Sequence, residues 1–148
     1  MRLAVTVLVL WTLANVVFSA RLLSPRAPSD STADGRTPIA LPLEARDAVL
    51  LEMRTMLASV QGVLDGAARS DTAAIRAAAA ASGVVMAADP ALEEILPRSF
   101  LQMGMATHAA FDTLAMNAAS GATAAVDRLA RITATCVSCH STYRIEAR

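Results

Sequence analysis

From Pro42 to the C-terminus the apolar residues recur at every third or fourth position, and no stretch alternates as a half-buried strand would. Leu50, Met53, Leu57, Val60 and Leu64 fall on one helical face, widened by Met56 and Val63, until Gly66 and the polar run to Asp71 close the segment. A second helix is expected from about Thr72 through the alanine run, with Ser70 or Asp71 as its N-cap. Gly83 ends it, and Pro90 belongs to the following loop. Pro97 suits the first turn of a third helix, which carries Phe100, Met103, Thr107, Phe111, Leu114 and Ala118 on one face. Beyond the Ser120-Gly121 break, the last helix places Ala125, Leu129, Ile132, Cys136, Cys139 and Tyr143 on a common stripe. The expected fold class is all-α, an antiparallel four-helix bundle. A helical repeat protein is the alternative, but no internal repeat of fixed period is present.

The N-terminal part reads differently. Arg2 followed by the apolar run Leu3 to Phe18 has the form of an export signal. Val17 and Ser19 are small enough for cleavage before Ala20, whereas extension to Leu23 approaches the roughly 20 residues of a spanning helix. Residues 1–23 are therefore expected to be a signal peptide or an N-terminal membrane anchor, with residues 3–23 as the membrane tether. Residues 24–42 contain Pro25, Pro28, Ser29, Ser31, Gly35, Pro38 and Pro42 and read as a disordered Pro/Ser-rich linker. The expected folded domain is 43–148. Its expected location is the periplasm, either soluble after cleavage or anchored to the inner membrane.

Composition narrows the function. Thirteen arginines balance thirteen acidic residues and there is no lysine, so the basic excess of a nucleic-acid binder is missing. Hydrophobic residues make up 55% but aromatics only 3%, and three aromatics, Phe100, Phe111 and Tyr143, fall outside the first twenty residues. A domain of this size is then short of bulky core material.

The two cysteines stand together in Cys136-Val-Ser-Cys139-His140. On a helix, positions i and i+3 project from the same side, so both thiols reach substituents of one planar ligand. Addition across the two vinyl groups of haem, with His140 turned to the iron, is the chemistry this spacing signals. A thioredoxin-like pair would need a strand-to-helix setting. A zinc site would need a fourth ligand, for which His108 is the obvious candidate.

This run at the end of four helices, continued by Ser-Thr-Tyr143-Arg144, resembles the cytochrome c′ family, the class II c-type cytochromes. The resemblance covers residues 43–148. It implies a cytochrome c′-like bundle with one covalent haem c and its iron lodged against the first and last helices. It also implies a sixth-side residue on the inward face of the first helix, where Met53 falls closest and Met56 lies one turn later. A methionine there is similar to the low-spin c-556 type, whereas an open site would bind nitric oxide or other small gases. The other reading of both methionines is flexible core filler.

Tyr143 is expected to pack on the haem edge. Arg144 is expected to pair with a propionate or cover the ligand, or else to be a solvated last-turn arginine. The resemblance also implies an arginine of the first helix near the propionates, for which Arg46 or Arg54 is the candidate. His108 is expected to form an exposed or half-buried pair with Asp112, with bis-histidine ligation as the alternative reading. Met103 and Met105 read as packing residues on two faces. No Ser/His/Asp arrangement, Gly-rich phosphate loop or paired carboxylates suggest an enzyme. The expected function is a monohaem periplasmic electron carrier with redox partner proteins in the periplasm or inner membrane. A homodimer of bundles is among the states the resemblance allows.

Overall fold

The computed structural model describes residues 34–148 except 88 and 89, together with Trp11 and Asn15. The expected signal or anchor, apart from those two residues, and the linker to residue 33 lie outside the described residues. No described helix is long and apolar enough to cross a membrane. The chain divides into two units, Met1–Gly35 and Arg36–Arg148. In the first, the Asn15 amide donates to the Trp11 carbonyl at 2.8 Å.

The second unit is mostly helical, with a small two-stranded sheet. In chain order it contains β1 (Thr37–Leu41), α1 (Leu43–Ala68), α2 (Thr72–Ala80), α3 (Pro90–Ile95), α4 (Arg98–Met116), α5 (Ala122–Thr142) and β2 (Tyr143–Ala147). Two 3₁₀ turns, Val84–Met86 and Ala118–Ser120, precede α3 and α5.

The helix ends follow local chemistry. At the close of α1, Ser70 takes a left-handed φ of +55°, and the Ser70 and Asp71 amides return to the Ala67 and Gly66 carbonyls at 3.0 and 2.9 Å. That satisfies carbonyls the helix would otherwise leave open. Asp71 is the N-cap of α2, its carboxylate accepting from the Ala73 and Ala74 amides at 3.1 and 2.9 Å. Pro97 stands at the N-cap of α4, one residue before the first turn where it was expected. Gly121, at φ +94°, supplies the sharp turn into α5.

Each of α1, α2, α4 and α5 packs against two others: α1 on α2 and α5, α4 on α2 and α5. The α1–α2 contact is close because two glycines permit it. A Cβ on Gly62 would stand 2.8 Å from the Ala78 Cβ, and one on Gly66 would stand 2.9 Å from the Ile75 backbone nitrogen.

Three expectations are corrected. Thr37–Leu41, assigned above to the linker, is a strand, so ordered structure begins before residue 43. Ile39 and Leu41 are buried and their neighbours exposed, the period of a strand with one face covered. Tyr143 is not on the helical stripe but opens β2, which pairs with β1 in parallel from Thr37↔Tyr143 to Leu41↔Ala147. Pro90–Ile95, expected as loop, is the short helix α3, with Pro90 at its start, where its missing N–H costs nothing.

The apolar core forms two clusters. One gathers Val63, Ile75, Ala79, Phe111, Leu114, Ala125, Leu129 and Ile132 among α1, α2, α4 and α5. The other gathers Ile39, Leu41, Val49, Leu92 and Phe100, with Tyr143 and Ile145 against them. The strand pair therefore supplies core to the end of the unit where Cys139 lies.

Gly66→Ala should lower unfolding stability by about 1–3 kcal/mol, because the added methyl meets backbone that cannot turn away. Chemical denaturation of wild type and variant checks this.

Candidate functional site

Between the two clusters lies a mostly apolar hollow that opens to solvent. Met56 and Cys136, which pack on the edge of the first cluster, line it together with Val49, Met53, Leu92, Leu96, Phe100 and Cys139 from the second. His140 stands at its wall as well and is itself exposed. The five residues singled out by sequence as ligands or attachment points, Met53, Met56, Cys136, Cys139 and His140, thus line one hollow, the methionines from α1 and the rest from α5.

A second hollow shares Met53, Phe100, Cys139 and His140 with the first and adds Arg36, Arg46, Tyr143 and Arg144. Three guanidinium groups therefore collect on this side of His140. Arg36 donates to the His140 carbonyl at 3.4 Å. Arg46 pairs with Asp47 at 2.8 Å, and Arg144 with Glu146 at 2.9 Å. Arg54 does not line this hollow. Tyr143 donates from its hydroxyl to the Ser99 hydroxyl oxygen at 2.8 Å and meets Phe100 edge-on, with ring centroids 5.6 Å apart. Arg144 belongs to β2, so it is not the last-turn helical arginine considered above.

Both cysteines are free and half-buried. Burial pushes the Cys136 thiol above its ordinary pKa, and burial with the neighbouring Cys136 does the same for Cys139. Reactive Cys-x-x-Cys pairs are built the other way, with a lowered pKa that exposes thiolate. The pair here is held as neutral thiols in an apolar wall.

His108 departs from its expected place. It is 1% exposed. Its Nδ1 lies 2.8 Å from the Ser82 carbonyl and its Nε2 2.6 Å from the Glu52 carboxylate. The carbonyl can only accept, so Nδ1 donates to it, and the carboxylate draws a second proton to Nε2. Burial alone would lower its pKa, but the bonds to Glu52 and Ser82 and the charges of Glu52 and Asp112 outweigh it and raise the value. Asp112, the expected partner, instead accepts from the Val84 amide at 3.0 Å. A Cβ on Gly83 would collide with that carboxylate, so a larger residue there would have to displace the Asp112 side chain. Both ring nitrogens of His108 are thus engaged within the protein, by the Ser82 carbonyl and the Glu52 carboxylate. Among the described residues no three His, Cys, Asp or Glu side chains gather as a metal site.

Sequence reasoning missed several lining residues. Glu52 and His108 form a polar patch in the wall, and Met103 and Met105, read as packing on two faces, both border the hollow. Gly104 does too, and a Cβ there would meet nothing within 4 Å. A mid-helix glycine costs roughly 0.5–1 kcal/mol relative to alanine, and among the described residues no neighbour accounts for this one. The signal available in the sequence was the glycine inside the third helical pattern.

Comparison of the chain with protein-family models, with curated proteins and with solved structures finds no match.

Because the folded-state pKa of His108 is raised, its contribution to stability is complete below the ordinary value of 6.5 and is lost as pH rises through the raised value. Denaturation midpoints should therefore fall across that window, and His108→Leu should flatten the fall.

Proposed function

We propose that this chain is a monohaem c-type cytochrome of cytochrome c′-like four-helix architecture, acting as an electron carrier. The observation that carries the reading is the meeting of Cys136, Cys139 and His140 with Met53 on a single apolar hollow. The donor set fits haem: two neutral thiols three residues apart on one helix, an imidazole beside them and a thioether across the hollow. Gly104 and the small number of bulky side chains leave room for a large flat apolar group. Haem held there would supply one-electron exchange between ferric and ferrous iron, with a potential set by ligand choice and burial.

In this reading Cys136 and Cys139 would hold the haem through thioethers, each S–H adding across one vinyl group to give one S–C and one C–H bond with no atom lost. His140 would offer an imidazole nitrogen to the iron and Met53 its sulfur, with Met56 as the alternative. Phe100, Leu92 and Leu96 exclude water. Arg36, Arg46 and Arg144 offer cations on the His140 side, where carboxylates of the cofactor would be neutralised. In this reading the partners are redox proteins of the periplasm or inner membrane, in keeping with the export signal or anchor expected of residues 1–23.

A second reading, an open five-coordinate haem that binds nitric oxide or similar gases, is favoured if neither methionine reaches the iron. The two part on Met53→Ala. As a carrier, wild type should be low-spin in both oxidation states, and the variant should turn high-spin when reduced and bind carbon monoxide at least about tenfold more tightly. A wild type already high-spin and quick to bind carbon monoxide would refute methionine ligation. Replacing both Cys136 and Cys139 by Ala should abolish covalent haem, read by haem staining of the denatured polypeptide, whereas either single variant should retain one thioether.

A further inference from the structure

The buried polar bridge between α1 and α4 is unused by the function just described. These two helices are not among the closely packed pairs; they face each other across the hollow. His108 of α4 reaches Glu52 of α1 at 2.6 Å, and both side chains border the hollow beside Met53 and Met56. His108 is fixed in turn by the Ser82 carbonyl, whose residue returns to α1 through a bond between the Ser82 and Ser59 hydroxyls at 2.8 Å. Asp112, one turn beyond His108, fastens the same connector through the Val84 amide. Helix α1 is therefore tied at Glu52 and Ser59, seven residues and two turns apart on one face. Two ties on one face fix both its rotation and its position along the axis.

We propose that the His108–Glu52 bridge, with its Ser82 and Ser59 extension, is a positioning device that holds α1 so that Met53 stays within reach of the group bound at His140. The proposal rests on the haem reading given above. Glu52 directly precedes Met53 and lies one turn before Met56, so any slide or rotation that released Glu52 would carry both sulfur atoms with it. Buried polar groups left without their partners are costly, so the network forms as a unit and admits one placement of α1. Apolar contacts alone would tolerate small shifts of a helix lined with flexible methionines.

The test uses the full exported chain and its Glu52→Ala, Glu52→Gln, His108→Ala, Met53→Ala and Val63→Ala variants, with the Glu52→Ala/His108→Ala double variant. Low-spin fraction in the ferrous state and the rate of carbon monoxide association are read for each. Glu52→Ala and His108→Ala should each lower the low-spin fraction and speed association about tenfold, and the double variant should go no further. Glu52→Gln, which still offers an acceptor to His108, should restore the wild-type spectrum. Val63→Ala loosens the other cluster and should leave the spectrum unchanged. Glu52 is half-buried, so its variants carry the test should His108→Ala fail to fold. Wild-type spectra in Glu52→Ala while Met53→Ala has turned high-spin would overturn the positioning role alone. An equal loss of low-spin character in Val63→Ala would overturn it too, as general loosening. A chain without haem, or an unchanged Met53→Ala, would refute the haem reading and the proposal with it.

Discussion

Cys136 and Cys139 stand where the apolar core is interrupted, and the rest of the unit is arranged about that gap. Apolar surface is stabilising only when it is removed from water, and a fully buried Leu or Phe is worth about 1.5–3 kcal/mol. A flat apolar group held in this hollow would bring that gain to the side chains lining it. Glycines let α1 and α2 approach closely where the first cluster is filled, through Gly62 against Ala78 and Gly66 against Ile75. Around Gly104 no comparable neighbour exists. The thin aromatic content that looks inadequate for a domain is concentrated by the fold: Phe111 fills the first cluster, while Phe100 and Tyr143 form an edge-on pair beside Cys139.

The strand pair and the polar bridge constrain the gap from different sides. β1 leads into α1 and β2 leaves α5, so their parallel ladder ties the start of the methionine-bearing helix to the chain just past His140. The Arg148 amide extends the tie to the Leu41 carbonyl at 2.9 Å. Across the hollow, His108 and Glu52 link helices that do not otherwise pack closely. One device is backbone pairing backed by Ile39 and Leu41; the other is side-chain bonding in a buried setting. Both act on α1.

The helices α1, α2, α4 and α5 were legible because their signals are local: apolar spacing, Asp71 before Thr72, and the glycine at 121; the six residues of α3 were too few to show a period. Strands were not. Five residues, Thr37-Pro-Ile-Ala-Leu, show too few alternations to separate from a proline-rich linker, and their partner lies more than a hundred positions away. Tyr143 continues the helical spacing of α5 on paper, yet pairing with Thr37 takes it out of the helix. Among the site residues, Cys136, Cys139 and His140 declared themselves by spacing, and their shared hollow with Met53 and Met56 is what the structure adds. His108 was misread because its four-residue spacing to Asp112 suggested a surface pair. Its actual partners, the Ser82 carbonyl and Glu52, come from other elements, and no local pattern announces them.

The central claim is that a covalent haem occupies the hollow between the two clusters. The most direct measurement is the mass of the purified polypeptide, taken under denaturing conditions with the visible spectrum of the same fraction. The account predicts one haem retained by the polypeptide and both thiols consumed. A polypeptide of unmodified mass, with Cys136 and Cys139 both free to alkylate, would contradict it.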